Sequence, residues 1–333
     1  MPALDHLTQD AYPRSAGYDA KWLVDLDMGP HPLWLLEDLA RDLDLRPGMR
    51  VLDLGTGLGH VAFQVAAIVG PEGSVVGVDL ATKLLGLAEA RRQAAGLDNV
   101  RFIEGDARTA RFDEPFDAVV CRLLLFHLPD ALDVLRHHRA AVRPGGVMTA
   151  IDFDLWGVRA EPPVPLMEPA AGWVEAAFRA AGADPRIGAR LGPLLRETGL
   201  ADVQTFGIQA YFAPGDPTGP ALLAGVVRTL APQIVARGIA TEDEIGLDTF
   251  AERLESEVRA AGAVTLTPTV VGAWGRVPAP AAPICPTCGQ PASEALAGPE
   301  HDWECRNEAC PEFGQPVAAD EPPDGRITAE TSP

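Results

Sequence analysis

Lysine is almost absent from this 333-residue chain. Lys21 and Lys83 are the only two, arginine supplies every other basic residue, and Lys+Arg total 27 against 47 Asp+Glu. The formal net charge of −20 repels nucleic-acid phosphates and anionic lipid, which excludes a broad electrostatic grip on either. No basic patch hides behind that average, because residues 277–333 hold 10 acids and 2 arginines, leaving −12 on residues 1–276. Long apolar runs are missing too: none approaches the ~20 residues a bilayer requires. The start, Met1 to His6, has neither the basic nor the apolar stretch of a secretory signal. A cytoplasmic protein with no membrane partner is expected. Only five cysteines are present, and a chain this long can bury its core without disulfides.

Composition changes near Arg276. Residues 277–333 contain 11 of the 31 prolines, and Pro278 to Pro283 reads as a stiff, extended linker. Residues 316–333 have almost nothing to bury, and disorder is expected there. Upstream, helix and strand alternate. A helical pattern over Leu35–Leu45 precedes strands at Arg50–Leu54, Ser74–Leu80, Val100–Glu104, Phe116–Cys121 and Val147–Phe153. Helices are predicted between them at Val61–Val69, Ala81–Gly96 and Ala131–Val142, the last stopped by Arg143-Pro144-Gly145-Gly146. That alternation predicts an α/β fold with a parallel sheet covered on both faces. Further helices are expected at Glu168–Ala181, Leu191–Thr198, Ala221–Arg237 and Thr241–Ala261, with strands near Val203–Ala213 and Thr269–Val277 completing the sheet.

The run Val51-Leu52-Asp53-Leu54-Gly55-Thr56-Gly57-Leu58-Gly59 places three glycines directly after the first strand. Glycine there permits a tight turn and a close backbone approach to a ligand. Asp79, 20 residues beyond Gly59, ends the second strand, where an acid can accept two ribose hydroxyls. Asp106 follows the third strand, placed to meet an adenine amino group. The plainer reading has both acids capping the helices that follow.

These motifs resemble the class I S-adenosylmethionine-dependent methyltransferases, through Val51–Gly59, Val75–Leu80, Phe102–Ala107, Phe116–His127 and Leu135–Val147 in order. The resemblance implies a Rossmann-like seven-stranded sheet with helices on both faces, spanning residues 35–277. It also implies S-adenosylmethionine as cofactor. Asp53, Gly55, Gly57 and Gly59 would hold its methionine end, Asp79 and Leu80 its ribose side, Asp106 and Ala107 the adenine, and Arg122 would lend backbone. A nicotinamide dehydrogenase would show a different glycine spacing. Asn/Asp-Pro-Pro-Tyr is absent after the fourth strand, where Cys121-Arg122-Leu123-Leu124 stands, and this weakens a flipped-base substrate.

A sulfonium methyl is already a strong electrophile, so alignment with a nucleophile supplies most of the acceleration. His127 follows the fourth strand and is the candidate catalytic residue, with positioning ranked above proton transfer. Asp152 and Asp154 are read as solvated rim or substrate contacts, since a metal would want a third ligand. Tyr12, Tyr18 and Trp22 fall in an N-terminal arm, residues 1–34, that either lids the cofactor or packs on the first helix. Residues 155–268 include helices expected to cap the substrate, a small-molecule methyl acceptor.

The remaining cysteines, Cys285, Cys288, Cys305 and Cys310, are spaced C-x2-C-x16-C-x4-C. Two such pairs can surround one structural Zn²⁺, and residues 284–315 are too short to hold a core without it. The pattern resembles the small zinc finger of NAD-dependent DNA ligases, although its second gap is wide. Six acids and one arginine in this zinc ribbon disfavour nucleic acid and favour docking on its own enzyme, as in a homodimer, or on a protein partner. The competing readings are a methyltransferase of RNA or protein that recognises its substrate through the ribbon, and a non-catalytic cofactor-binding regulator.

Overall fold

The computed structural model describes residues 45–279, 282–294 and 303–317. The predicted arm and its aromatic residues, nearly all of the 35–45 helix, and the tail beyond Val317 lie outside the described residues. Two compact units divide at Pro278.

The first unit is built on a seven-stranded sheet ordered β3-β2-β1-β4-β5-β10-β7. Its strands are β1 (Arg50–Leu54), β2 (Ser74–Asp79), β3 (Val100–Glu104), β4 (Phe116–Arg122), β5 (Val142–Asp154), β7 (Ala201–Ile208) and β10 (Thr269–Arg276). Between the early strands run α1 (His60–Val69), α2 (Thr82–Ala95) and α3 (Ala131–Arg139). Strands β1 to β5 are parallel, and β10 inserts antiparallel to both β5 and β7.

Central strands buried on both faces require apolar residues at nearly every position, which is why β1, β2 and β4 read as continuous runs. The side chains still alternate between two cores. Leu52, Leu54, Val76, Val78, Val119 and Cys121 join one, whereas Val51, Val75, Ala118 and Val120 join the other with Val61, Val65 and Val69 of α1.

Beyond β5 the chain forms β6 (Arg159–Glu161), α4 (Met167–Ala180), α5 (Leu191–Glu197), β8 (Tyr211–Phe212), α6 (Thr218–Ala236), α7 (Glu242–Ile245), α8 (Leu247–Ala261) and β9 (Val264–Leu266). Helix α5 packs on β7 and β10, while α6 packs against both α4 and α8. The short strands make a separate antiparallel sheet, β6-β9-β8. By length and composition α6 is the one helix among the described residues that could cross a membrane, and here it buries Val227, Leu230 and Ile234 in the core.

Several expectations change. The predicted α3 stops at Arg139, and Arg143 to Gly146 lies inside β5, where the register against β4 shifts. The helix expected over 241–261 breaks at Gly246, with φ +56°, and α7 carries its own capping box from Thr241 and Glu244. The strand expected over 203–213 divides into β7 and β8.

In the second unit, β11 (Ser293–Glu294) pairs with β12 (Trp303–Glu304). Ala292 N–H donates to Pro283 O at 2.8 Å, and Val317 N–H donates to Trp303 O at 2.9 Å. Val317 is buried with Cys285, Cys305 and Cys310, so this module runs past residue 315.

Candidate functional site

Strand β1 delivers Asp53 to the sheet's carboxyl edge and then turns through Gly55, Gly57 and Gly59, all with left-handed φ between +52° and +80°. A non-glycine residue would be strained at each. A Cβ at Gly55 would lie 2.9 Å from Leu124 Cδ1, and one at Gly59 would lie 2.8 Å from Phe102 Cζ, so those two glycines admit neighbouring side chains. At Gly57 a Cβ would meet nothing within 4 Å, which leaves open space beside that backbone.

Asp79 binds the loop to β2. Its Oδ2 accepts Gly57 N–H and its Oδ1 accepts Ala81 N–H, both at 2.8 Å. Burial raises its pKa, opposed by those amides. Each carboxylate oxygen keeps acceptor capacity beyond these bonds. The expected helix-capping role and a ligand role are therefore compatible. Leu80 next to it is 48% exposed. Asp53 is buried and accepts Thr56 Oγ1–H at 2.6 Å. Burial pushes it up to about 7, with the Thr56 bond and nearby Arg122 pulling the other way.

Asp106 is ion-paired with Arg108, whose backbone N–H also donates to Asp106 Oδ1 at 3.0 Å. Ala107 is held from behind: His138 bonds its carbonyl, and His137 Nε2 lies 2.7 Å from Ala110 O. This histidine pair on α3 fixes the loop that carries Asp106, a role that two adjacent histidines in sequence did not announce. A groove of about 750 Å³ opens beside β2 and β3, lined by Val76, Val78, Ile103 and Phe112, and Gly55, Gly57 and Gly59 do not line it.

Past β4, Leu123 adopts φ +54°, a costly conformation for leucine, and the chain makes one 3₁₀ turn over Leu125–His127. Leu124 packs against Gly55, so the glycine loop and this turn share a boundary. The His127 ring meets Phe126 edge-on at 4.6 Å, and Phe126 meets Phe178 of α4 at 4.6 Å. Desolvation pushes His127 down to about 4, so it is neutral at pH 7.

Asp152 corrects the solvated-rim expectation. It is wholly buried, with Oδ2 accepting Phe126 N–H at 3.0 Å and Oδ1 accepting Phe153 N–H at 2.9 Å. Amide donors on both oxygens also argue against a metal there. Asp154, part-exposed, caps the next turn by accepting Trp156 N–H at 3.0 Å.

In the second unit the Sγ atoms of Cys285, Cys288, Cys305 and Cys310 all lie within 4.8 Å of one another. The pairs Cys285–Cys310 and Cys288–Cys305 are 3.9 and 3.7 Å apart. Tetrahedral Zn–S bonds of about 2.3 Å place sulfurs about 3.8 Å apart, whereas a disulfide needs about 2.05 Å. Backbone donation at Gln290 draws Cys288 down to about 6, while burial pushes Cys310 up to about 12.

Residues 45–183 match the family model described as a methyltransferase domain. A demethylmenaquinone methyltransferase of Geobacillus kaustophilus is 34% identical over 149 residues, 44% of this chain and 63% of that one. Its counterpart from Lactococcus lactis is 32% identical over 139 residues, 41% of this chain and 54% of that one. The chain thus spans less than two thirds of the length of these curated relatives. Among solved structures, phosphoethanolamine N-methyltransferase 2 of Haemonchus contortus, in complex with S-adenosyl-L-methionine, superposes with a TM-score of 0.52 at 19% identity, covering 81% of this chain and 60% of that one. The same enzyme with phosphomonomethylethanolamine and S-adenosylhomocysteine gives the same score at 18% identity and the same coverage. The fold is the Rossmann-like methyltransferase fold, and the similarity to methyltransferase domains lies in residues 45–183.

Proposed function

We propose that this protein transfers the methyl group of S-adenosylmethionine to a small-molecule acceptor, with a quinol of the demethylmenaquinone class as the first acceptor to test. The observation that carries the reading is the tie between Gly57 and Asp79. A carboxylate is fixed on the glycine loop at the residue whose backbone borders open space. When bound, S-adenosylmethionine supplies an electrophilic methyl group, so the protein's task is alignment.

Asp79 accepts the ribose hydroxyls with its remaining lone pairs, and Leu80 offers exposed apolar surface beside the base. Asp106 and Ala107 face the adenine, with Arg108 holding the carboxylate in place. Asp53 with the glycines receives the methionine end, and Arg122 lends backbone. His127, neutral and well below the operating pH, orients the acceptor; a general base works best with a pKa near that pH, which ranks positioning above proton removal. The relatives named for demethylmenaquinone support the quinol, and the methyltransferase-domain match over residues 45–183 contains all these residues.

The four cysteines fit one Zn²⁺ as a closed, structural site that leaves no coordination position for catalysis. Six acids against one arginine in residues 284–315 weigh against RNA as the ribbon's target.

The test uses the full-length chain, methyl-labelled S-adenosylmethionine and a short-chain demethylmenaquinol, with an extract of small metabolites in parallel. Acceptor-dependent S-adenosylhomocysteine is expected. Label passing only into RNA or protein would overturn the small-molecule reading, and cofactor binding without turnover would favour the regulator.

A further inference from the structure

We infer that Asp152 is a positioning residue: from the end of β5 it sets the turn that carries His127, acting through the amide of Phe126. This rests on the reading of His127 as the residue that orients the acceptor.

The 3₁₀ turn over Leu125–His127 is only three residues long, with His127 N–H donating to Leu124 O and Leu128 N–H to Leu125 O, each at 3.0 Å. Phe126 N–H has its bond instead to Asp152 Oδ2, 26 residues away on the neighbouring strand. Removing that acceptor leaves a buried amide to find another partner, and the turn is the element free to shift. Other contacts hold the turn at Leu124 and Phe126. Leu124 abuts Gly55, the Phe126 ring rests on Phe178, and Phe126 O accepts Asp184 N–H at 3.2 Å.

A neutral side chain would cap one amide equally well. A carboxylate gives each of two amides its own oxygen, Phe126 on the turn and Phe153 on β5, so the turn is indexed directly to the strand. That choice is costly, because burial pushes Asp152 up to about 7, opposed by its amide bonds and by Arg122. The charged or titratable groups that act on Asp152 are Arg122 at the end of β4 and the buried Cys121 thiol beside it, and Asp184 after α4 meets the turn through its amide.

The experiment uses full-length protein carrying Asp152→Ala, Asp152→Asn, His127→Ala and the double change Asp152→Ala/His127→Ala. The first readout needs no acceptor: the NMR titration of the His127 ring on labelled histidine. In the wild type burial should hold the midpoint well below its ordinary 6.5, and in Asp152→Ala it should rise by about one pH unit or more toward that value. Asp152→Asn, which keeps one acceptor, should fall between. Affinity for S-adenosylmethionine by calorimetry should stay within about three-fold. With a demethylmenaquinol as acceptor, the double variant should turn over no more slowly than His127→Ala alone, since the two residues act through one contact.

A His127 titration unmoved in both Asp152 variants overturns the inference, as does a double loss equal to the product of the single losses. Should Asp152→Ala fail to fold, Asp152→Asn carries the same readouts. Absence of any turnover by the wild type would sink methyl transfer instead, and the histidine titration would still decide the role of Asp152.

Discussion

From β1 to β4, main-chain geometry does the positioning. Three left-handed glycines, a carboxylate bonded to the amides of Gly57 and Ala81, and a strained Leu123 place the groups on the sheet's carboxyl edge. Across residues 155–266 the arrangement is reversed. Helices α4, α6 and α8 pack through Phe178, Leu230, Ile234 and Phe250, with α6 lying against both of the others. The contrast shows what each region has to satisfy. A fixed ligand such as the proposed cofactor demands particular backbone conformations within a few residues. An acceptor is met by side chains on a packed surface, which many sequences can provide.

The largest effect should come from the ribbon, where local positioning is carried to its limit. Zinc in zinc-finger peptides contributes about 10–16 kcal/mol of binding energy that is also folding energy. Cys305→Ser or chelation should therefore abolish zinc content and the amide protection of residues 283–294 and 303–317, while the thermal transition of residues 45–278 moves little. Elemental analysis with hydrogen exchange checks this, and a truncation after Val277 that still holds zinc would place the metal elsewhere.

Within the first unit, Phe178→Ala opens the contact between α4 and the 125–127 turn. It should cost about 3–5 kcal/mol of stability by denaturant titration, as large buried aromatics do, with cofactor affinity unchanged. A loss of affinity would mean that the two regions are not separable in this way.

A third effect depends on pH. Because burial raises Asp152 to about 7, its share of native stability is complete below its unfolded value near 4 and is lost as pH climbs through 7. Asparagine does not titrate. The stability of Asp152→Asn relative to wild type should therefore improve by about 2 kcal/mol between pH 5 and pH 8. His138, pushed down to about 4 by desolvation, is present in both proteins and cancels, and the His127 contribution is followed separately by its own NMR titration. A relative stability that stays flat over that range would show Asp152 to be ionised throughout.

The smallest pair sharpens the account of the loop. Gly59→Ala carries both a positive φ and a 2.8 Å approach to Phe102, and should cost about 2 kcal/mol of stability. Gly57→Ala meets open space and should cost about 1 kcal/mol, its strain alone, yet weaken S-adenosylmethionine more than Gly59→Ala does. Thermal melts with and without cofactor separate the two.

The same contrast explains what could be read in advance. The limits of β1 follow from an apolar run bounded by glycine, because a strand buried on both faces admits little else, whereas β3, a part-exposed edge strand, is delimited by Val100, Phe102 and Ile103 between polar turns. The four cysteines declare their own geometry. Asp152 was misread because its i, i+2 spacing with part-exposed Asp154 gives no hint of the turn that covers it from another strand. Strands β6, β8 and β9, of two or three residues each, are too short for periodicity and pair across dozens of residues. The break at Gly246 did leave a signal: Thr241-Glu242-Asp243-Glu244 spells the capping box that starts and limits α7.

The most direct measurement of the central claim is calorimetric titration of full-length protein with S-adenosylmethionine, alongside Asp79→Asn and with NADH as control. The account predicts one site per chain, weakened by about 1–3 kcal/mol in the variant, and no heat with NADH. Unchanged affinity in Asp79→Asn would remove that carboxylate from the site. Binding of NADH with none of S-adenosylmethionine would contradict the account outright.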